Sequence, residues 1–238
     1  MDQHLPSAER LSALRRASIL AGLSDTALAK VARQCTWRDF DTGQPILEYQ
    51  ATSTDVSFLV SGKARAIVYS SEGKAVIFID LHPGAMFGEI AAIDRGPRSA
   101  NIEVLESCSI ASLSADQFEA LMLEEPSVAV ATLRHLAAEV RRLSDRVFEF
   151  STMVVRNRIH AELLRLAGGS NIQGSEATLA PAPSLSDIAD RISTHREAVS
   201  RELARLVDIG LVCREGKALR IANVAKLREL VNEAKGEE

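Results

Sequence analysis

Phe87-Gly88-Glu89-Ile90-Ala91-Ala92-Ile93-Asp94-Arg95-Gly96-Pro97-Arg98-Ser99-Ala100 is the stretch from which the rest of the chain is read. A buried phosphate needs inward-pointing backbone N–H donors, a counter-charge and room for close approach of the main chain. Gly88 gives the room. Glu89 to Ile93 is too short for a free-standing helix but suits a single turn, whose N-terminal N–H groups and partial positive charge favour an anion. Arg98 gives the formal charge, and a guanidinium can bind two phosphate oxygens through parallel N–H bonds. Ser99 adds a hydroxyl, and Glu89 offers an acceptor for a sugar hydroxyl. The set fits a ribose phosphate. Taken bare, the same residues suit a Gly-containing loop with an ordinary Glu–Arg surface pair equally well.

Around this stretch the chain has a β-rich texture. Short runs at Thr36 to Phe40, Pro45 to Tyr49, Val56 to Val60, Ala64 to Tyr69, Lys74 to Ile79, Ser99 to Leu105 and Ser109 to Leu113 alternate with turn signals. Those signals include Asp41-Thr42-Gly43, Ser61-Gly62 and Ser71-Glu72-Gly73, and the pattern predicts a small barrel or roll. Before it, Ala8 to Gln34 reads as short helices with Ser24 capping Asp25 to Gln34.

From Pro126 the period changes. Leu133, Leu136, Val140, Leu143, Val147, Phe150 and Val154 fall at alternating steps of three and four, a heptad seam on one long helix. Pro126 fits its first turn, and Arg141, Arg142, Asp145 and Arg146 fall off the seam in solvent-compatible positions. An amphipathic helix buried on its own domain would carry the same stripe; the length of about three heptads favours a partner helix.

Arg158 to Ala167 is a further helix, followed by a surface loop or short hairpin over Asn171 to Pro183. Ser184 to Ile192 and His195 to Asp208, joined through Ser193-Thr194, have helix-turn-helix dimensions. Ile188, Ala189, Ile192, Val199 and Leu203 would hold the two helices together. Arg196, Glu197, Ser200 and Arg201 occupy the half of the second helix that can meet base edges. A solvated face with Glu197 and Arg201 as an i,i+4 pair is the plain alternative. Arg214-Glu215-Gly216-Lys217 reads as the turn of a basic β-hairpin wing, with Lys217 available to phosphates, and Val224 to Ala234 as a last helix.

At 238 residues the chain has room for two domains, and 46% apolar with 25% charged residues is ordinary for a globular protein. No run approaches the roughly 20 apolar residues of a membrane span, so no membrane association and a cytoplasmic location are expected. Cys35, Cys108 and Cys213 are odd in number and far apart, and the five histidines lack ligand spacing. No metal is expected. The net charge of -4 is uneven: Val154 to Ala222 carries ten basic and eight acidic residues, a balance of +2 against -6 for the remainder. That asymmetry suits a nucleic-acid face. No nucleophile–base pair or Walker-type loop supports catalysis.

The cassette Phe87-Gly88-Glu89-Ile90-Ala91 followed by Pro97-Arg98-Ser99-Ala100 resembles that of cyclic-nucleotide-binding domains, and Phe58 to Arg65 resembles the strand–turn–strand leading into it. The resemblance implies that Glu89 holds the ribose 2′-OH and Arg98 the cyclic phosphate. Taken with the seam and His195-Arg196-Glu197-Ala198-Val199-Ser200-Arg201, which is similar to a known recognition-helix pattern, nearly the whole chain resembles the CRP/FNR family of bacterial transcription regulators. The implied fold is α+β: a sensor β-roll over residues 1–125, a dimerisation helix and hinge over 126–154, and a winged helix-turn-helix over 155–238. The implied effector is cAMP or cGMP. The implied partners are a second copy of the chain, a double-stranded palindrome with TGTGA-like half-sites, and RNA polymerase.

Three departures stand out. Ser193 replaces the usual turn glycine. Leu143-Ser144 stands where cAMP-binding members carry Thr-Ser, so that Ser144 alone keeps a hydroxyl for the base. The cysteine cluster of the iron–sulfur branch is missing. A same-fold regulator sensing haem-bound gas, thiol oxidation or another metabolite, or active without ligand, is the alternative.

Overall fold

The computed structural model describes residues 8–168, 171–173 and 175–236. The chain divides into two units, one built of residues up to Tyr69 together with Ile77–Val140, the other of Ser70–Val76 together with the residues from Arg141 on.

The first unit opens on α1 (Ala8–Arg15) and α2 (Asp25–Gln34). Ser24 caps α2, its hydroxyl accepting from the N–H of Ala27, as its place before an amphipathic run predicts. Strands β1 (Thr36–Phe40), β2 (Pro45–Leu47), β3 (Val56–Tyr69), β4 (Ala75–Leu81), β5 (Met86–Phe87) and β6 (Asn101–Leu113) follow, with the short helix α3 (Glu89–Asp94) set between the last two. The sheet runs β1-β6-β3-β4, with β2 beside β6 and β5 beside β3.

Two expectations change here. Ser61-Gly62 is no turn: β3 runs through it, and its register against β6 shifts between Leu59 and Ala64. Gly62 has a φ of +80°, and a Cβ there would lie 2.3 Å from the Ser107 carbonyl oxygen. The glycine therefore allows a bulge and a close approach of two long strands rather than a chain reversal. By the same pairing, the two runs expected over 99–113 form one strand, β6. A helix not anticipated, α4 (Ala115–Glu124), follows, begun by a reciprocal capping box between Ser114 and Gln117. Phe58, Phe118, Leu14, Leu20, Leu28 and Leu113 are fully buried in the core between sheet and helices, each contributing about 1.5–3 kcal/mol of transfer free energy.

Helix α5 (Pro126–Thr152) is continuous through both units. The second unit continues with α6 (Val155–Gly168), β7 (Asn171–Gln173), β8 (Glu176–Leu179), α7 (Leu185–Arg191), α8 (Arg196–Asp208), β9 (Val212–Glu215), β10 (Ala218–Ile221) and α9 (Val224–Lys235). The stretch after α6 is thus a hairpin, paired Gln173 to Glu176, and its sheet runs β7-β8-β10-β9. Ile188, Ile192, Val199, Leu203 and Leu206 are buried together between α7 and α8. Ser193, in the turn, adopts a φ of +51°. No helix among the described residues is long and apolar enough to cross a membrane.

Candidate functional site

In the first unit the site is built around Arg98, which is 2% exposed. Its Nη1 donates to the Gly88 carbonyl at 2.9 Å, its Nη2 to the Asp55 carbonyl at 2.8 Å and its Nε to Ser53 Oγ at 3.0 Å. All three acceptors are neutral oxygens. A guanidinium carries five N–H groups, so one on each terminal nitrogen is left over. Burial pulls the Arg98 pKa down, against the fields of Asp55 and Glu89, yet an arginine stays charged in proteins.

Gly88 makes the arrangement possible. Its φ is +81°, and a Cβ would stand 2.6 Å from Arg98 Nη1 and 2.7 Å from the Asp55 carbonyl oxygen. Glu89, the first residue of α3, is buried at 9%. On its far side His135 of α5 brings Nε2 to 3.9 Å from Glu89 Oε1.

Of the cassette residues singled out in the sequence, Phe87, Glu89, Ala91 and Arg98 are buried, Gly88 and Ala100 half-buried, and Ile90 and Ser99 exposed. Ser144 belongs to the second unit, where it is exposed on α5 together with Leu143. Sequence reasoning missed Ser53, Asp55 and His135. The first two reach Arg98 from a loop more than forty residues upstream, for which no periodicity or spacing prepares. His135 lies on the face of α5 that the heptad pattern leaves out.

The seam divides similarly. Leu133 (66%), Val140 (62%) and Val147 (65%) are largely exposed, as are Leu143 and Phe150 to a lesser degree, while Leu136 is half-buried. Arg146 does not point to solvent as its off-seam position predicts. Its side chain is 12% exposed and its Nη1 donates to Glu162 Oε2 at 2.8 Å. Arg165 bonds Glu162 and Glu149 together, Arg191 lies 3.9 Å from Glu162, and Lys235 lies 3.6 Å from Glu149. Tertiary contact with α6, α7 and α9 thus overrides the surface pattern of α5.

On α8, Arg196, Glu197, Ser200 and Arg201 are all exposed, and Val199, Glu202, Leu203 and Leu206 form the buried face. Glu197 pairs with Arg196 at 3.1 Å rather than with Arg201, and its own backbone N–H and Arg196 hold its carboxyl below the usual range. Lys217 is exposed in the turn between β9 and β10. Beneath α8, His160 Nε2 lies 2.6 Å from Glu202 Oε1, which also accepts from Arg205. Burial keeps the His160 ring below its usual pKa despite Glu202. Burial alone would raise Glu202, but hydrogen bonds from Arg205 and His160 outweigh it and hold the carboxylate charged.

The described residues hold no group of three or more His, Cys, Asp or Glu able to bind a metal ion. Cys35, buried, has its pKa pushed up to about 12, and burial followed by Asp39 raises Cys108. Neither is a reactive thiolate.

A β-roll with a buried arginine, followed along the chain by a winged helix-turn-helix with an exposed polar face on its second helix, is the build of a DNA-binding regulator. Residues 37–125 match the family model of the cyclic nucleotide-binding domain, and residues 157–230 match the Crp-like helix-turn-helix domain. The chain belongs to the CRP/FNR family of DNA-binding transcription regulators, which are not enzymes. It is 25% identical, over 90% of its length and 96% of the relative's, to the CRP-like cAMP-activated global transcriptional regulator of Mycobacterium tuberculosis. In fold it is similar to FixK2 from Bradyrhizobium japonicum, with a TM-score of 0.70, 22% identity, and coverage of 82% of this chain and 96% of that one. It is also similar to the c-di-GMP responsive global regulator CLP of Xanthomonas campestris, with a TM-score of 0.71, 16% identity, and coverage of 83% and 99%.

Proposed function

We propose that this regulator responds to a cyclic mononucleotide, cAMP or cGMP, and binds as a homodimer to a palindromic operator with TGTGA-like half-sites. The observation that carries the reading is Arg98: a buried guanidinium, held in place by three neutral oxygens, with one N–H on each terminal nitrogen to spare. A cyclic phosphate would accept from those two N–H groups, with Phe87, Gly88, Ile90, Ala91, Ser99 and Ala100 forming the surrounding cassette. The ribose would hydrogen-bond Glu89, and Ser144 would meet the base.

The exposed stripe Leu133, Val140, Leu143, Val147 and Phe150 supports the homodimer, since five large apolar side chains in a row along a helix favour a partner. In such a dimer residues 1–125 form the sensor, 126–154 the dimerisation helix and hinge, and 155–238 the DNA-binding part. Two α8 helices about 34 Å apart would enter successive major grooves. Arg196, Glu197 and Arg201 would read base edges, Ser200 would stand beside them, and Lys217 would touch phosphate. The protein would act in the cytoplasm, with RNA polymerase as a further partner. The nucleotide regulates only through its differential affinity for the DNA-competent arrangement.

A second reading keeps the pocket and changes the effector. Leu143 offers no hydrogen bond to a base, and the fold neighbour CLP is named for its response to a different nucleotide, c-di-GMP.

The test is calorimetric titration of wild type and Arg98→Lys with cAMP and with cGMP, with operator binding followed at one stated salt concentration. Lysine keeps the charge and loses the bidentate fork, so affinity is expected to fall about 10- to 100-fold. Binding of neither nucleotide to the wild type refutes the reading.

A further inference from the structure

We propose that His135 is a positioning residue for the sugar end of this pocket, holding Glu89 from the side of α5 so that effector affinity falls as His135 loses its proton. The inference rests on the functional reading above and extends it to a residue outside the cassette.

The geometry is specific. His135 Nε2 stands 3.9 Å from Glu89 Oε1, with the two side chains 28% and 12% exposed. That separation is an ion-pair contact and too long for a direct hydrogen bond. It engages one carboxylate oxygen and leaves Oε2 for a sugar hydroxyl, because a carboxylate offers about four acceptor sites. The charged groups acting on the ring are acidic: Glu89 from α3, and Glu139 one turn along α5. Glu89 raises the ring's pKa above its usual value, against burial, and Glu139 adds to the effect. Arg98, at the other end of the pocket, feels both Asp55 and Glu89.

The charge balance gives the sign. Arg98 balances a bound cyclic phosphate, so the buried Glu89 carboxylate, with Asp55 and Glu139 near the two ends of the site, leaves negative charge in excess where water screens poorly. A protonated His135 reduces it. Ligand binding should therefore tighten the proton on His135, and by linkage protonation should tighten the ligand, because a coupling between two bound species acts equally in both directions. The cyclic phosphodiester keeps one negative charge throughout the neutral range, so the ligand itself contributes no slope there.

The experiment uses the full chain, titrated calorimetrically with cAMP and with cGMP from pH 6.0 to 8.5 as wild type and as His135→Gln. Wild-type affinity is expected to fall about five- to tenfold across that range, the limit being tenfold for each unit by which the ligand raises the histidine's pKa. The variant is expected to show a flat profile at the weak, alkaline value. A proton NMR titration of the free protein supplies a second reading. The His135 ring should titrate above 6.5 in wild type and fall in Glu89→Gln, where burial is no longer opposed by that carboxylate. A wild-type affinity that is flat or rises with pH, or a slope unchanged in His135→Gln, overturns this inference while leaving the pocket assigned. Absence of binding by either nucleotide at every pH overturns the functional reading and this inference together.

Discussion

Each unit buries a glutamate against a histidine, and the two pairs are perturbed in opposite directions. In the first, His135 is 28% exposed and only approaches Glu89; the carboxylate's field prevails and the pKa rises. In the second, His160 is 2% exposed and bonds Glu202 at 2.6 Å, but the loss of water prevails and the pKa falls. Contact with a carboxylate is thus not enough to charge a histidine; the outcome depends on how much solvation the ring surrenders. The arginines show a parallel contrast. Arg98 hydrogen-bonds to three neutral oxygens and feels the carboxylates of Asp55 and Glu89 only through space, whereas Arg146, Arg165 and Arg191 surround Glu162. A buried guanidinium with N–H groups to spare suits the anion proposed for it. Cations converging on shared carboxylates serve the fold.

The strongest way to break that contrast is Glu162→Ala. Glu162 is 3% exposed, and its removal takes from the largely buried Arg146 its nearest counter-charge and from Arg165 and Arg191 a shared one. The expected loss is about 3 kcal/mol of unfolding free energy, read from urea denaturation of the full chain. A loss below about 1 kcal/mol would mean that water relieves the cluster and that it is no more structural than a surface network.

The histidine contrast makes a weaker, signed prediction. His160 binds its proton less readily folded than unfolded, so its contribution to stability is complete above the unfolded value near 6.5 and lost as pH falls below it. His135, with a raised folded pKa, contributes in the opposite sense, fully below 6.5 and fading as pH climbs through its folded value. One group can impose at most about 1.4 kcal/mol per pH unit. Urea midpoints at pH 7.5 and 5.5 should therefore differ more in wild type than in His160→Gln. An equal acid loss in both proteins would locate the pH sensitivity elsewhere.

How much of this was legible beforehand depends on the range of the interaction. Local chemistry announced itself: Ser24 as a cap, Pro126 at the start of a long helix, the heptad along it, and the turn between α7 and α8. The cap of α4 was also written in the sequence, as Ser114 and Gln117 three residues apart, but with Phe118 and Leu121 as the main buried positions of a ten-residue helix the apolar period is brief. Gly62 misled because a glycine serves a turn and a bulge equally well, and only the strand lying against it decides between them. The charges of the cassette were readable as charges. Their partners were not, because Ser53, Asp55 and His135 come from separate parts of the chain. Arg146 failed for a related reason: a heptad describes one helix face and says nothing of the helices packed on its back.

The smallest effect concerns the backbone of the second unit. Ser193 turns the chain between α7 and α8 at a φ of +51°, in the left-handed region that costs an L-residue about 1–2 kcal/mol. The turn is still firmly made, since the Thr194 N–H donates to the Ala189 carbonyl at 3.0 Å and Ile192 is fully buried beside it. Glycine would remove the steric cost but lose more entropy on folding, about 0.5–1 kcal/mol. Ser193→Gly should therefore stabilise the protein by a net 0.5 kcal/mol or about that, seen as a higher urea midpoint with unchanged slope. Operator affinity should stay within about twofold, because the side chains of α8 proposed to read bases begin three residues further on and their helix is fixed by Val199, Leu203 and Leu206. If glycine instead lowers stability or loosens DNA binding, the serine is part of what aims α8, and the second unit holds functional strain after all.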